Sequence, residues 1–262
     1  MDCWGTILTR VDTDARVCAE LARAAGEELL RVRTASPLEG KELGKAGDAA
    51  AQELLARLLG EWRAGDAVLS EEAKDSAARL SADRVWIIDP VDGTREYSEG
   101  RADWAVHVAL WADGELALGA VAIPGEDLVL SSAEPPVVPA RDESAPIRLA
   151  VSRSRPPEIT EPVRAALDAE LVPMGSAGVK IAAVARGQVD AYVHAGGQYQ
   201  WDSAAPVAIA RAAGLFTSRI DGSPLVYNGA DPYLPDLVVC RPELAPRILA
   251  AISDYTDGDS WK

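Results

Sequence analysis

The run Trp86-Ile87-Ile88-Asp89-Pro90-Val91-Asp92-Gly93-Thr94 sets two aspartates, with two residues between them, where an apolar segment ends. Pro90 fixes φ at about −65° and removes a backbone donor, while Gly93 lets the chain approach a ligand closely. In such a turn Asp89, the Val91 carbonyl and Asp92 can converge on one point. That point suits a hard cation, and the Gly93 and Thr94 N–H groups with the Thr94 hydroxyl are then left to meet an anion beside it. The same residues also make an ordinary Asx turn that closes a strand with both carboxylates in water.

Other acids have two readings each. Asp48 heads a helical pattern in which Ala51, Gln52 and Leu55 follow at i+3, i+4 and i+7, so it is either a cap or an inward-facing carboxylate. Glu71 and Glu72 follow Ser70 as acids follow a cap in a first helical turn, or else project into a site. Asp202 opens a helix and reads as its N-cap or as a ligand. Of the two histidines, His107 lies on an apolar strand and reads as structural, and His194 follows the short run Asp190–Val193. Two histidines and no Cys-x-x-Cys pair argue against a zinc site built from His and Cys. Any metal must be a hard ion such as Mg²⁺ held by carboxylates and carbonyls.

Those residues need a scaffold. Helical spacing predicts one helix over Asp14–Val32 and another over Asp48–Trp62, with a Gly- and Pro-containing loop, Thr34–Lys45, between them. Short apolar runs at Ala67–Leu69, Val85–Ile88, Trp104–Trp111, Gly119–Ile123 and Leu128–Leu130 predict one sheet, antiparallel where connections are short. A charged, proline-rich stretch, Glu134–Pro146, is the expected boundary between an N-terminal α+β lobe (1–140) and a C-terminal α/β lobe (141–262). In the second half strands at Ile147–Val151, Leu171–Pro173, Val189–Val193 and Leu237–Cys240 alternate with helices at Glu161–Asp168, Ser176–Arg186, Trp201–Ala213 and Pro242–Ile252.

Composition narrows the function classes. A length of 262 residues, 48% of them hydrophobic, supplies ample core, and the net charge of −15 with no basic stripe argues against nucleic-acid binding. No apolar run has the roughly 18 residues of a membrane span. The first residues have early acids and no apolar core of a signal peptide. Cys3, Cys18 and Cys240 are an odd, scattered set that suits a reducing, cytoplasmic setting.

One lookalike fails on spacing: aspartyl-phosphate phosphatases use D-x-D-G-T, with one residue between nucleophile and acid. The full string Trp86–Tyr97 instead resembles the signature of the inositol monophosphatase superfamily. Leu69-Ser70-Glu71-Glu72 resembles its G-E-E element, with Ser70 in place of Gly. Trp201-Asp202-Ser203-Ala204-Ala205 resembles its W-D-x-A-A element. Asp48 occupies the place of its early aspartate motif, and Gly175–Lys180 resembles its glycine-serine turn before a helix.

The resemblance implies a layered αβαβα sandwich with the active site between lobes, Mg²⁺-dependent and lithium-sensitive phosphomonoesterase activity, and two Mg²⁺ ions, with a third weaker one usual near Glu71. One ion is implied at Glu71, Asp89 and the Val91 carbonyl, the second at Asp89, Asp92 and Asp202. Divalent cations also resolve a problem of charge, since these carboxylates repel one another and any phosphate. Asp48 and Thr94 match the pair that orients and deprotonates the attacking water, with no phospho-enzyme. The N–H groups of Gly93 and Thr94 are implied to hold phosphate oxygens. Glu71, Val91, Asp92 and Asp202 are then also substrate-facing.

After Gly93-Thr94 the chain reads Arg95-Glu96-Tyr97, which resembles the CysQ-type 3′-phosphoadenosine 5′-phosphate phosphatases, and Lys180 matches their helix start. This implies a nucleoside bisphosphate substrate, its second phosphate paired with Lys180. His194 falls near where inositol-specific members keep a sugar-contacting acid, in a region that varies with substrate, so the resemblance implies that it can face the substrate. The alternatives are inositol phosphate or fructose 1,6-bisphosphate as substrate, or a non-catalytic phospholigand-binding protein. A homodimer is common in the family.

Overall fold

A computed structural model describes residues 13–258. The chain runs α1 (Asp14–Ala35), α2 (Gly40–Trp62), β1 (Ala67–Ser70), β2 (Arg84–Asp92), α3 (Thr94–Ser98), β3 (Ala105–Ala112), β4 (Glu115–Ile123) and β5 (Leu128–Ser131). It continues with β6 (Arg148–Ser152), α4 (Thr160–Leu167), β7 (Glu170–Met174), α5 (Ala177–Ala185), β8 (Ala191–Ala195), α6 (Gln200–Ala212), β9 (Phe216–Ser218), β10 (Asp236–Cys240) and α7 (Ala245–Gly258).

Two five-stranded sheets form, ordered β1-β2-β3-β4-β5 and β7-β6-β8-β10-β9. In the first, β2 to β5 form an antiparallel meander, as their short turns require. β1 joins β2 in parallel through a longer crossover. Strand alternation explains the layers. Trp86 and Ile88 pack with Val106 and Val108 under α1 and α2, while Val85 and Ile87 point the other way, onto Ile181, Ala204 and Ile209 of α5 and α6. A strand buried on both faces reads as an unbroken apolar run, which is how Val85–Ile88 appears. The middle layer also meets Tyr192, Leu237 and Val239 of the second sheet. That sheet's outer face carries Leu149, Val193 and Val238 against Val163, Leu167, Ile248 and Ile252 of α4 and α7. The result is the five-layer αβαβα sandwich. Along the chain the 132–147 stretch separates the strands of one sheet from those of the other, yet α5 and α6, from the second half, share one core with the first sheet.

Three expectations need correction. The expected Thr34–Lys45 loop shrinks to residues 36–39, because α1 runs on to Ala35 and α2 begins at Gly40 rather than Asp48. Its glycines serve close packing: a Cβ on Gly44 would lie 2.9 Å from Thr94 Cγ2, and one on Gly47 2.6 Å from Tyr97 Cε1. Asp48 is therefore interior to α2 and caps nothing. Strand β9 has no counterpart in the sequence pattern, since three residues at a sheet edge carry too little periodicity. Cys18 and Cys240 are free and buried, and Cys3 lies outside the described residues. Among the described residues no helix is long and apolar enough to cross a membrane.

Candidate active site

Strand β2 delivers the first carboxylate. In the parallel pair, Ser70 is level with Ile88, so the next residues of the two strands, Glu71 and Asp89, emerge side by side at the sheet's carboxyl edge. Their carboxyls are close enough that each shifts the other's pKa, and Asp89 has the same parity as Val85 and Ile87, so it points toward the α5/α6 layer. Glu71 lies in a turn rather than in the first turn of a helix. The strand then bulges: register with β3 is lost between Asp89 and Asp92, and Asp89 Oδ1 accepts the Val91 N–H at 3.0 Å. The Asx turn and the carboxylate cluster thus coexist.

Asp92 is held from the other half of the chain. Its Oδ2 accepts from Ser176 Oγ at 2.5 Å and from the Gly178 N–H at 2.6 Å, and its Oδ1 accepts from the Ala177 N–H at 3.2 Å. A residue of the first sheet thereby satisfies donors that α5 leaves open at its start. His107 Nε2 lies 3.2 Å from the same Oδ2, while its Nδ1 donates to the Trp201 carbonyl at 3.0 Å. Burial alone would raise the Asp92 carboxyl, but the charge of the nearby His107, with the hydrogen bonds from Ser176 and Gly178, holds it at about 2. Burial likewise opposes protonation of His107, yet Asp92 keeps the imidazole above its ordinary value. His107, which reads in the sequence as merely structural, therefore belongs to the site. The signal that marks it is its register on β3, directly opposite Asp89.

Asp202 enters at the third position of α6, whose N-cap is Tyr199, and its Oδ2 accepts the Tyr199 N–H at 2.6 Å. It sits inside the first turn rather than being the cap. Oxygens of Asp89, Asp92 and Asp202 lie within 4.8 Å of one another. Burial and neighbouring carboxylates push Glu71 up to about 7, raise Asp202 to about 7, and raise Asp89 well above its usual range. Carboxyls crowded until they retain protons are what a divalent cation relieves, and an all-oxygen donor set fits a hard ion such as Mg²⁺. A carboxylate has about four acceptor positions. Those on Asp92 Oδ2 are filled, so Oδ1 is the oxygen with room for an ion.

Beside the cluster, Gly93 takes φ +91°, a left-handed conformation that suits glycine, and starts α3 with Thr94. Thr94 Oγ1 lies 3.1 Å from the Val91 carbonyl and 3.4 Å from Asp48 Oδ1. Burial, with the charge of Glu72, raises Asp48 to about 6. Ser70 Oγ donates to Gln52 Oε1 at 2.6 Å, tying the end of β1 to α2 one turn beyond Asp48.

Lys180 departs from expectation. It is buried, and its Nζ donates to the Gly175 and Ser176 carbonyls at 2.9 and 2.5 Å and lies 5.2 Å from the Tyr192 ring centroid. Burial lowers it to about 8. Its ammonium braces the glycine-serine turn and does not line the cleft. The cleft, about 450 Å³, is lined by Asp92, Gly93, Thr94, Ser176 and Asp202 at one end. Ser152, Ser154, Arg155, His194, Gly196 and Gln198 line the rest. His194 thus does reach the cleft wall. Its Nε2 faces the Gly196 carbonyl at 2.7 Å, and burial lowers it to about 4, so the ring is neutral.

The family model described as Inositol monophosphatase family matches residues 10–257. The 3′-phosphoadenosine 5′-phosphate phosphatase of Mycobacterium bovis is 52% identical over 244 residues, covering 88% of this chain and 90% of that protein. The 3′(2′),5′-bisphosphate nucleotidase CysQ of Escherichia coli O157:H7 is 30% identical over 237 residues, 84% of this chain and 95% of that one. The crystal structure of CysQ from Bacteroides thetaiotaomicron, a bacterial member of the inositol monophosphatase family, matches with a TM-score of 0.75 at 27% identity, covering 89% of this chain and 98% of that one. The matched span takes in every strand and helix that delivers a carboxylate to the cluster, and the chain belongs to the inositol monophosphatase family.

Proposed function

We propose that the protein is a Mg²⁺-dependent phosphomonoesterase that removes the 3′-phosphate of 3′-phosphoadenosine 5′-phosphate, or of its sulfated form, leaving the 5′-phosphorylated nucleoside. The observation that carries the reading is the convergence of Asp89, Asp92 and Asp202 beside the Asp48–Thr94 pair at one end of a nucleotide-sized cleft. The activities named for the relatives at 52% and 30% identity favour this substrate.

Glu71, Asp89 and the Val91 carbonyl would hold one ion and Asp89, Asp92 and Asp202 a second, with a third weaker position at Glu71. Bound Mg²⁺ supplies charge that acidifies water and stabilises a leaving alkoxide. The chain's own groups do the rest. Asp48, raised to about 6, is suited to hold a proton near neutral pH, and the Thr94 hydroxyl lies between it and the Val91 carbonyl to orient a water and pass its proton on. The N–H groups of Gly93 and Thr94, both residues of the cleft lining, would hold phosphate oxygens in line with that water. Cys18 and Cys240, buried as free thiols, favour a cytoplasmic setting.

The test is phosphate release from 3′-phosphoadenosine 5′-phosphate, inositol 1-phosphate and fructose 1,6-bisphosphate side by side, with Mg²⁺ and with excess EDTA. The expected result is Mg²⁺-dependent turnover, inhibited by Li⁺, with the nucleotide preferred in kcat/KM. Full activity in EDTA overturns the metal reading. A tenfold preference for inositol 1-phosphate, about 1.4 kcal/mol of transition-state binding, overturns the substrate reading alone.

A further inference from the structure

A nucleoside bisphosphate brings two anions into a chain of net charge −15. The ions answer for the phosphate that reacts; the other needs a cation of the protein's own. Most candidates are already engaged. Lys180 donates to two carbonyls. Arg95 is held by Glu99 at 2.8 Å, Arg101 by Asp103 at 2.6 Å, and Arg153 by Glu96 and Glu99 at 2.9 and 2.8 Å. Two guanidinium groups line the cleft, those of Arg95 and Arg155, and among the described residues that of Arg155 has no acceptor partner.

The turn that carries Arg155 is fixed on both sides. The Arg155 N–H donates to Ser152 Oγ at 3.2 Å, and the Arg153 N–H donates to the Met174 carbonyl at 3.1 Å. The Arg153 side chain clamps the turn to α3 through Glu96 and Glu99. Pro156 and Pro157 follow, restricting the exit. An exposed arginine on a braced turn can meet an anion with little loss of backbone freedom, and its planar fork matches two phosphate oxygens. The hydroxyls of Ser152 and Ser154 stand on the same wall.

We propose that Arg155 is the residue that binds the second, non-reacting phosphate of the substrate and so makes the cleft selective for a bisphosphate, an inference that rests on the nucleoside bisphosphate reading above. It moves to the end of β6 the role that the sequence suggested for Lys180. Arg155 makes no contact with the carboxylate cluster, so its loss lowers affinity without slowing the chemistry.

The experiment compares kcat and KM of the wild type, Arg155→Ala and Arg155→Lys on 3′-phosphoadenosine 5′-phosphate and on adenosine 3′-monophosphate, which lacks the second phosphate. Arg155→Ala is expected to raise KM for the bisphosphate about tenfold to a hundredfold, with kcat and the thermal midpoint unchanged and adenosine 3′-monophosphate kinetics unaltered. Arg155→Lys should keep part of the effect, as a point charge without the fork. The wild-type KM for the bisphosphate should also rise more steeply with salt than that of Arg155→Ala. A bisphosphate preference that survives in Arg155→Ala, or an equal loss on both substrates, overturns the assignment to Arg155. A wild type with no preference for the bisphosphate overturns the substrate reading, and this proposal with it.

Discussion

At one end of the cleft Asp89 and Asp92 are almost fully buried, and both Asp92 oxygens are gripped by Ser176, Ala177 and Gly178 from the far half of the chain. At the other end Ser154, Arg155, Gly196 and Gly197 lie on turns that leave strands β6 and β8. The first end is a set of charges frozen into a shared core, where a misplaced oxygen costs both metal binding and packing. The second is a wall of loops on a rigid sheet, whose side chains can change without disturbing the strands beneath. Chemistry is thus tied to the fold and selectivity is not, and the two ends are expected to fail differently when mutated.

The largest expected effect is at the buried end. Asp89→Asn should reduce turnover beyond the roughly 10²- to 10⁴-fold expected for losing a proton-transfer group such as Asp48, because Asp89 is assigned to both ions. Phosphate release at saturating Mg²⁺ measures it, and a variant retaining most of the wild-type rate would break the two-ion assignment.

Next comes the join between the halves. A Cβ on Gly178 would fall 1.9 Å from His107 Nε2, so Gly178→Ala must push His107 away from Asp92. Mg²⁺ affinity should fall about 10- to 100-fold, as for loss of a group that orients a ligand, and overpacking should cost about 1–3 kcal/mol of stability. A Mg²⁺ titration of activity and a thermal melt test both. Unchanged Mg²⁺ affinity would show that His107 does not position Asp92.

The crowded carboxyls also predict a pH dependence without mutation. In the ion-free protein Glu71 and Asp202 are raised to about 7 and Asp89 well above its usual range. A carboxyl raised in the folded state favours folding below its unfolded pKa of about 4, and that contribution is lost as pH climbs through the folded value. The ion-free thermal midpoint should therefore drop between about pH 4 and pH 7, and saturating Mg²⁺ should flatten the decline. Mg²⁺ binding near pH 7 should release protons, seen by calorimetry in buffers of different ionisation enthalpy. An ion-free midpoint that stays level across this range contradicts the crowding.

The smallest effect sharpens the contrast between the ends. Lys180→Met removes the ammonium that braces Gly175 and Ser176 but leaves the cleft wall in place. Its kcat/KM should fall by the same modest factor on the bisphosphate and on adenosine 3′-monophosphate. A loss confined to the bisphosphate would return the second phosphate to Lys180.

Local pattern specifies most of the elements and the class of chemistry. Val85–Ile88 announces a strand buried on both faces, the Asp89–Thr94 turn carries its own Pro and Gly, and the donor types admit only a hard ion, because each of these depends on neighbours a few positions away. Whatever depends on distant approach is settled only in three dimensions. Gly44 reads as part of a loop until its packing against Thr94 inside α2 explains it. His107 reads as core until Asp92 is found beside its ring. Lys180 reads as a substrate-binding charge until its ammonium is seen buried against two carbonyls, which leaves Arg155, among the described residues, as the unengaged cation on the wall. In each case the group that fixes the side chain is brought up by the fold from another element, and the contact energy that holds it is one that local spacing cannot encode.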